Sequence, residues 1–170
     1  MSFDVNAKAV KDSAFGAWLE IVRDEIIGLN LPELPNDRVL VRSFSWELPS
    51  VTPPPYVTIV KRGELLANSD ATSNYEKIEY PAMVSMIFAN DASVNECGLG
   101  LFWRQQIRRR FSHAAPVRMP SLVLSMPQDG TTKPLYVECE PGEAFIPEAF
   151  KRHFVAQYLV VRLCTWEARI

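Results

Sequence analysis

At 170 residues the chain is long enough for one domain, residues 1–170, with a substantial core, and short for two. Its 48% hydrophobic and 22% charged residues are those of an ordinary globular protein. Lys+Arg total 18 against 20 Asp+Glu, a formal charge of −2, which excludes a bulk nucleic-acid binder and confines any basic function to a local patch.

Cys97, Cys139 and Cys164 are odd in number, widely spaced and without a CxxC pair, which argues against a disulfide framework or a zinc site and suits a reducing compartment. The opening MSFDVNAKAVKDS is polar, so no signal peptide is expected. No apolar run approaches the ~18 residues of a membrane span.

From Lys8 to about Leu29 the pattern is helical. Phe15, Trp18, Leu19, Val22, Ile26 and Leu29 share one face, Glu20, Arg23 and Asp24 fall away from it, and Gly28, Pro32 and Pro35 stop the run. RVLVRSF, Arg38–Phe44, alternates as a short strand. WELPSVTPPP reads as a rigid connection, and YVTIVK, Tyr56–Lys61, as a second strand. Gly63–Asn74 is polar apart from Leu65 and Leu66 and reads as a flexible loop or hairpin arm, a length that often carries function.

Glu76–Ala89 reads as a third strand, where Pro81 suggests an edge or a bulge. Asn90-Asp91 can cap a second helix from about Ala92 to Ser112, with Leu99, Trp103, Ile107 and Phe111 as its apolar stripe. Gly98 and Gly100 each cost this helix roughly 1 kcal/mol relative to Ala, so a close approach there is expected. SLVLS at 121–125, PLYVECE at 134–140 and HFVAQYLVVRLCTWEA at 153–168 read as strands, with a turn at Gln128-Asp129-Gly130 and an irregular link over Phe145–Phe150. The order α-β-β-β-α-β-β-β predicts an α+β domain, a mostly antiparallel or mixed sheet with two amphipathic helices on one face.

Catalytic chemistry has little to stand on. His113 and His153 lie in no ligand spacing, GxSxG and Gly-Lys-Ser/Thr are absent, and CGLGLFW is not a GxGxxG turn. Glu138, Glu140 and Glu143 could form an acid/base pair or a cation site, but a solvated or intersubunit acidic edge is the preferred reading.

Arg108-Arg109-Arg110, with Arg104 and Arg118, is the one dense cationic feature. It admits three readings: a solvated helix end complementing the dipole, ion pairs to a neighbouring subunit, or phosphate contact. Leu101 lies on the side of Arg104, Gln105 and Arg108, and Phe102 falls off the apolar stripe. Apolar residues beside arginines mark mixed oligomer interfaces, and that reading is preferred. PPPY at 53–56 matches the PPxY ligand of WW domains, but VTIVK follows at once, so proline at the start of a strand is favoured over a peptide ligand.

The arrangement of "DRVLVRSFSWELPSVTPPPYVTIVKRGE", "TSNYEKIEYPAMVSMIFAND", "LFWRQQIRRRFS" and "QYLVVRLCTWEA" behind a leading amphipathic helix resembles the small tail-terminator and neck proteins of tailed bacteriophages. The likeness covers roughly residues 8–114 and 153–168. It implies a non-enzymatic, cofactor-free α+β subunit that assembles with itself, as a hexameric ring. Such a ring caps the tail tube and meets the head connector in the virion, with DNA passing through its lumen without sequence-specific contact and with no membrane. Subunit-interface residues would be Leu101, Phe102, Arg104, Arg108, Arg109, Glu138 and Glu140, and the assembly arm would include Leu65, Leu66, Asn68 and Asp70. The alternatives are another head–tail connector or tail-completion ring subunit, a PPPY-bearing adaptor, and an enzyme built on the three glutamates.

Overall fold

The computed structural model describes residues 14–42, 54–63, 65–66, 75–89, 94–112, 132–142 and 154–168. The first apolar stripe forms helix α1, Ala14–Gly28, burying Phe15, Trp18, Leu19, Val22 and Ile26. Lys8–Ser13 of the expected helix lie outside the described residues. The helix stops where Gly28 was expected to stop it, and Asn30 takes the left-handed conformation (φ 47°) that commonly closes a helix C-terminus, its N–H donating to Ile27 O at 3.0 Å. A single 3₁₀ turn, Asn36–Arg38, leads into strand β1, Val39–Arg42.

The remaining strands are β2 (Tyr56–Lys61), β3 (Leu65–Leu66), β4 (Tyr75–Ala89), β5 (Thr132–Pro141) and β6 (Phe154–Ala168), and helix α2 (Val94–Phe111) falls between β4 and β5. They form one sheet in the order β1-β2-β4-β6-β5, with β3 pairing β4 beyond the end of β2. β1 and β2 are parallel and every other pairing is antiparallel, so the sheet is mixed. Residues 43–55 join β1 to β2, about the dozen residues that a parallel crossover requires. The expected strand at 121–125, the Gln128–Gly130 turn, the Asn90-Asp91 cap and the Phe145–Phe150 link lie outside the described residues.

Leu65 and Leu66, in the stretch read as a flexible loop or hairpin arm, pair antiparallel with Glu79 and Ile78 as β3, the hairpin alternative. One expectation is corrected. Pro81 sits neither at an edge nor at a bulge: β4 is central, and its register with β6 runs unbroken through Pro81↔Arg162. Pro81 O accepts from Arg62 N at 2.9 Å, so the proline nitrogen faces the same side, where β2 has ended and β3 has not begun. A missing donor is tolerated at such a break in the neighbouring ladder.

One face of the sheet meets both helices. Val57 and Ile59 of β2, Val84, Met86 and Phe88 of β4, and Leu159, Val161 and Leu163 of β6 join Trp18 and Ile26 of α1 and Trp103, Ile107 and Phe111 of α2 in a single core. Trp18 meets Phe111 edge-on at 6.3 Å between centroids, and Phe88 meets Trp103 at 5.2 Å. α1 lies over β1 and β2, while α2 lies over β5 and β6. On the second face Tyr56, Thr58, Val60, Ser85, Ile87 and Val160 are buried as well.

The two helical glycines separate clearly. A Cβ on Gly100 would stand 2.9 Å from Phe88 Cε2 and 3.1 Å from Gln157 Nε2, so the expected close approach is present there, whereas nothing lies within 4 Å of one on Gly98. Gly98→Ala should therefore stabilise the protein by about 1 kcal/mol through helix propensity. Gly100→Ala should destabilise it by about 1–2 kcal/mol as overpacking outweighs that gain. Urea midpoints of the two variants check the opposite signs.

Candidate assembly surface

Helical spacing sets Gly98, Leu101, Phe102, Gln105, Arg108 and Arg109 on one side of α2, opposite Trp103, Ile107 and Phe111. All six are exposed, while Trp103, Ile107 and Phe111 are fully buried. Leu101 (59% exposed) and Phe102 (43%) are large apolar side chains left in water. The sequence-expected Leu101, Phe102, Arg108 and Arg109 are thus brought together as one outward patch of mixed apolar and cationic character.

Arg104, expected in the same patch, is turned inward. Its guanidinium donates to Tyr158 O at 2.7 Å and to Gly142 O at 2.5 Å, fastening α2 to β6 and to the end of β5. A Cβ on Gly142 would lie 2.3 Å from the Tyr158 ring, so a glycine is needed for the two strands to present both carbonyls. Arg110 is also committed, pairing with Glu25 of α1 at 2.6 Å. Trp103 Nε1 donates to Pro32 O at 3.0 Å, so the helix is held to the turn after α1 as well. Nothing but the side-chain length of Arg104, which lies at the margin of the apolar stripe, hinted that it would reach back to the sheet.

Glu138 and Glu140 lie on β5, away from the α2 side of the sheet. Arg162 pairs with Glu140 at 2.6 Å and with Glu79 at 3.1 Å, so β4, β6 and β5 are bridged by one guanidinium. Sequence reasoning missed Arg162 and Glu79; a lone arginine inside the apolar run VVRLC was the available signal. Glu143, His113 and His153 lie outside the described residues, as do Asn68 and Asp70 of the expected arm, while Leu65 and Leu66 root that segment on β4. Among the described residues no group of three His, Cys, Asp or Glu side chains could hold a metal. No helix of the described residues is long and apolar enough to cross a membrane.

Burial pushes the Cys139 thiol up to about 11, against the pull of Arg108 and Arg104, with Glu140 adding to the rise. Cys164 is raised too, by burial first.

Tyr56 begins β2 and is 1% exposed, directly after the cis Pro54–Pro55 bond. A WW-type ligand must present an accessible polyproline segment and tyrosine, and this tyrosine is inside the sheet. Its hydroxyl has no hydrogen-bond partner among the described residues, and burial raises its pKa to about 12, with Arg42 pulling the other way.

The chain is therefore an α+β domain with a mixed sheet whose outer helix presents an exposed apolar–cationic face. It matches no known protein-family model, and no curated protein sequence matches it significantly.

Arg104→Ala should cost about 2–3 kcal/mol, since it strips charged donors from two carbonyls, whereas Arg108→Ala and Arg109→Ala should each stay within about 0.5 kcal/mol; denaturant titration distinguishes them. Tyr56→Phe should leave stability unchanged or improved below pH 10, because it removes a buried hydroxyl that makes no bond. In the wild type the phenol ionises near 10 when unfolded and near 12 when folded, so its contribution is intact below 10 and lost as pH rises from 10 to 12. Tyr56→Phe should accordingly lose less stability than wild type between pH 9.5 and 11.5, and Tyr56→Ala should cost about 3–5 kcal/mol throughout.

Proposed function

We propose that this protein is a structural ring subunit of a tailed-bacteriophage neck, a tail terminator that caps the tail tube and faces the head connector. Its place is the virion, where DNA passes through the hexameric ring. The observation that carries this reading is the outward patch of α2. Leu101 and Phe102 lie in water beside Arg108 and Arg109, on a helix anchored from behind by Trp103, Arg104 and Arg110. Arginine and aromatic side chains are enriched at protein interfaces. A rigid helix presents them at fixed spacing, which a repeated subunit contact requires. The resemblance of segment order to neck proteins supplies the rest of the reading.

The test is the solution mass of the 19.3 kDa chain by light scattering after size exclusion, alone and with tail-tube protein. Wild type should form a defined ring, by itself or on tubes. Arg108→Glu/Arg109→Glu should remain a folded monomer in both settings, with an unchanged circular dichroism spectrum. A wild-type chain that stays monomeric and ignores tubes overturns the proposal.

A further inference from the structure

The outward face of α2 is not complementary to itself. Among its described residues Arg108 and Arg109 are the charged groups, and Gly98, Leu101, Phe102 and Gln105 are neutral. Two copies joined by this face would bring four arginines together without a carboxylate, and like charges at a contact cost free energy. Arg110, the next arginine, is already neutralised by Glu25.

Carboxylates are found on the other flank of the domain. On α1, Glu20 and Asp24 point away from the core, and Asp24 has 69% of its side chain exposed. Arg23 marks the direction of this side of the helix, since its Nε donates to Val39 O of β1 at 3.2 Å. Its Nη1 lies 3.3 Å from Glu20 and 3.9 Å from Asp24, so one guanidinium is shared by two carboxylates. Asp37, exposed in the 3₁₀ turn that enters β1, adds a third, beside Arg38, whose Nη1 donates to Pro55 O at 3.5 Å. Among the described residues of β5, the exposed carboxylate Glu140 is bound by Arg162 at 2.6 Å.

The two flanks sit at opposite ends of the strand order. α1 lies over β1 and β2, and α2 over β6 and β5, the two helices meeting through Arg110 and Glu25. Within one chain α2 meets α1 through Arg110 and Glu25, while Arg108 and Arg109, on the exposed side of α2, are open to the carboxylates of a second molecule.

We propose that the outward face of α2 in one copy docks on the α1–β1 flank of the next, with Arg108 and Arg109 meeting Glu20, Asp24 and Asp37 around Leu101 and Phe102. This rests on the ring-subunit reading and names its contact. The contact is head-to-tail, joining two different surfaces, and repetition of such a contact generates a closed ring or an open filament rather than a two-fold dimer.

The experiment uses full-length variants at exposed positions, under the conditions in which wild type assembles. Asp24→Arg/Asp37→Arg should abolish assembly, as should Leu101→Asp/Phe102→Asp. Mixing these two variants should give nothing larger than a 1:1 pair by light scattering, because each retains one working surface. Mixing Asp24→Arg/Asp37→Arg with Arg108→Glu/Arg109→Glu should restore full-sized assemblies, because both junctions are then complementary. The inference falls, with the ring reading intact, if Asp24→Arg/Asp37→Arg assembles like wild type or if the charge-swapped mixture stays monomeric. If wild type never assembles, both fall.

Discussion

The paired β4 and β6 strands are the spine on which the other elements are placed. Tyr75–Ala89 and Phe154–Ala168 align residue for residue along their full length, Tyr75 opposite Ala168 and Ala89 opposite Phe154. At about 3.4 Å per residue this ribbon is about 50 Å long. Its register is strongly determined, because a slip of one residue in either strand would send Val84, Met86 and Phe88, or Leu159, Val161 and Leu163, to the wrong face. The bridge from Glu79 through Arg162 to Glu140 adds a polar lock on the second face. Removing either glutamate would leave the guanidinium, 20% exposed, with part of its charge uncompensated.

From that spine the placement of α2 follows. Gly100 lets the helix approach Phe88 and Gln157, and Arg104 reaches the backbone of β6 and of residue 142. Trp103 and Arg110 tie the same helix to the turn after α1 and to α1 itself. These contacts come from the inward side and both flanks of the helix, so its orientation is determined by several elements at once. Leu101, Phe102, Arg108 and Arg109 are consequently shown to solvent on a stiff support, and little ordering entropy remains to be lost when a partner covers them.

Periodicity makes much of this legible in the sequence. The helical stripes at Phe15–Ile26 and Leu99–Phe111 and the strand Tyr56–Lys61 are strong local patterns, and tertiary packing reinforces them. What was not legible depends on register between distant segments. Pro81 reads locally as an edge residue, and only the end of β2 at Lys61 makes its central position tolerable. Leu65 and Leu66 lie in a polar stretch, and their strand exists because β4 continues past β2 and offers an unpaired side. Arg104 falls at the border of the helix stripe, where a wheel cannot decide between solvent and sheet for a side chain that long. The parallel pairing of β1 with β2 is likewise a product of the crossover, and alternation within each strand is silent about it.

The size of the exposed patch limits how a contact through it can behave. Complete burial of a Leu or Phe side chain is worth about 1.5–3 kcal/mol, and Leu101 and Phe102 are already about half covered in the free chain. Together they supply about 3 kcal/mol at best. Exposed ion pairs from Arg108 and Arg109 add up to about 1 kcal/mol each. Association of two free proteins costs at least about 4 kcal/mol in lost translation and rotation, so these residues alone leave a single junction weak. Closure changes the arithmetic, because a subunit that enters the last place of a ring makes two junctions for one loss of freedom, and a tube that holds subunits side by side raises their effective concentration further. A surface of this kind is suited to assembly that is sparse in free solution and sharp where a template gathers the subunits.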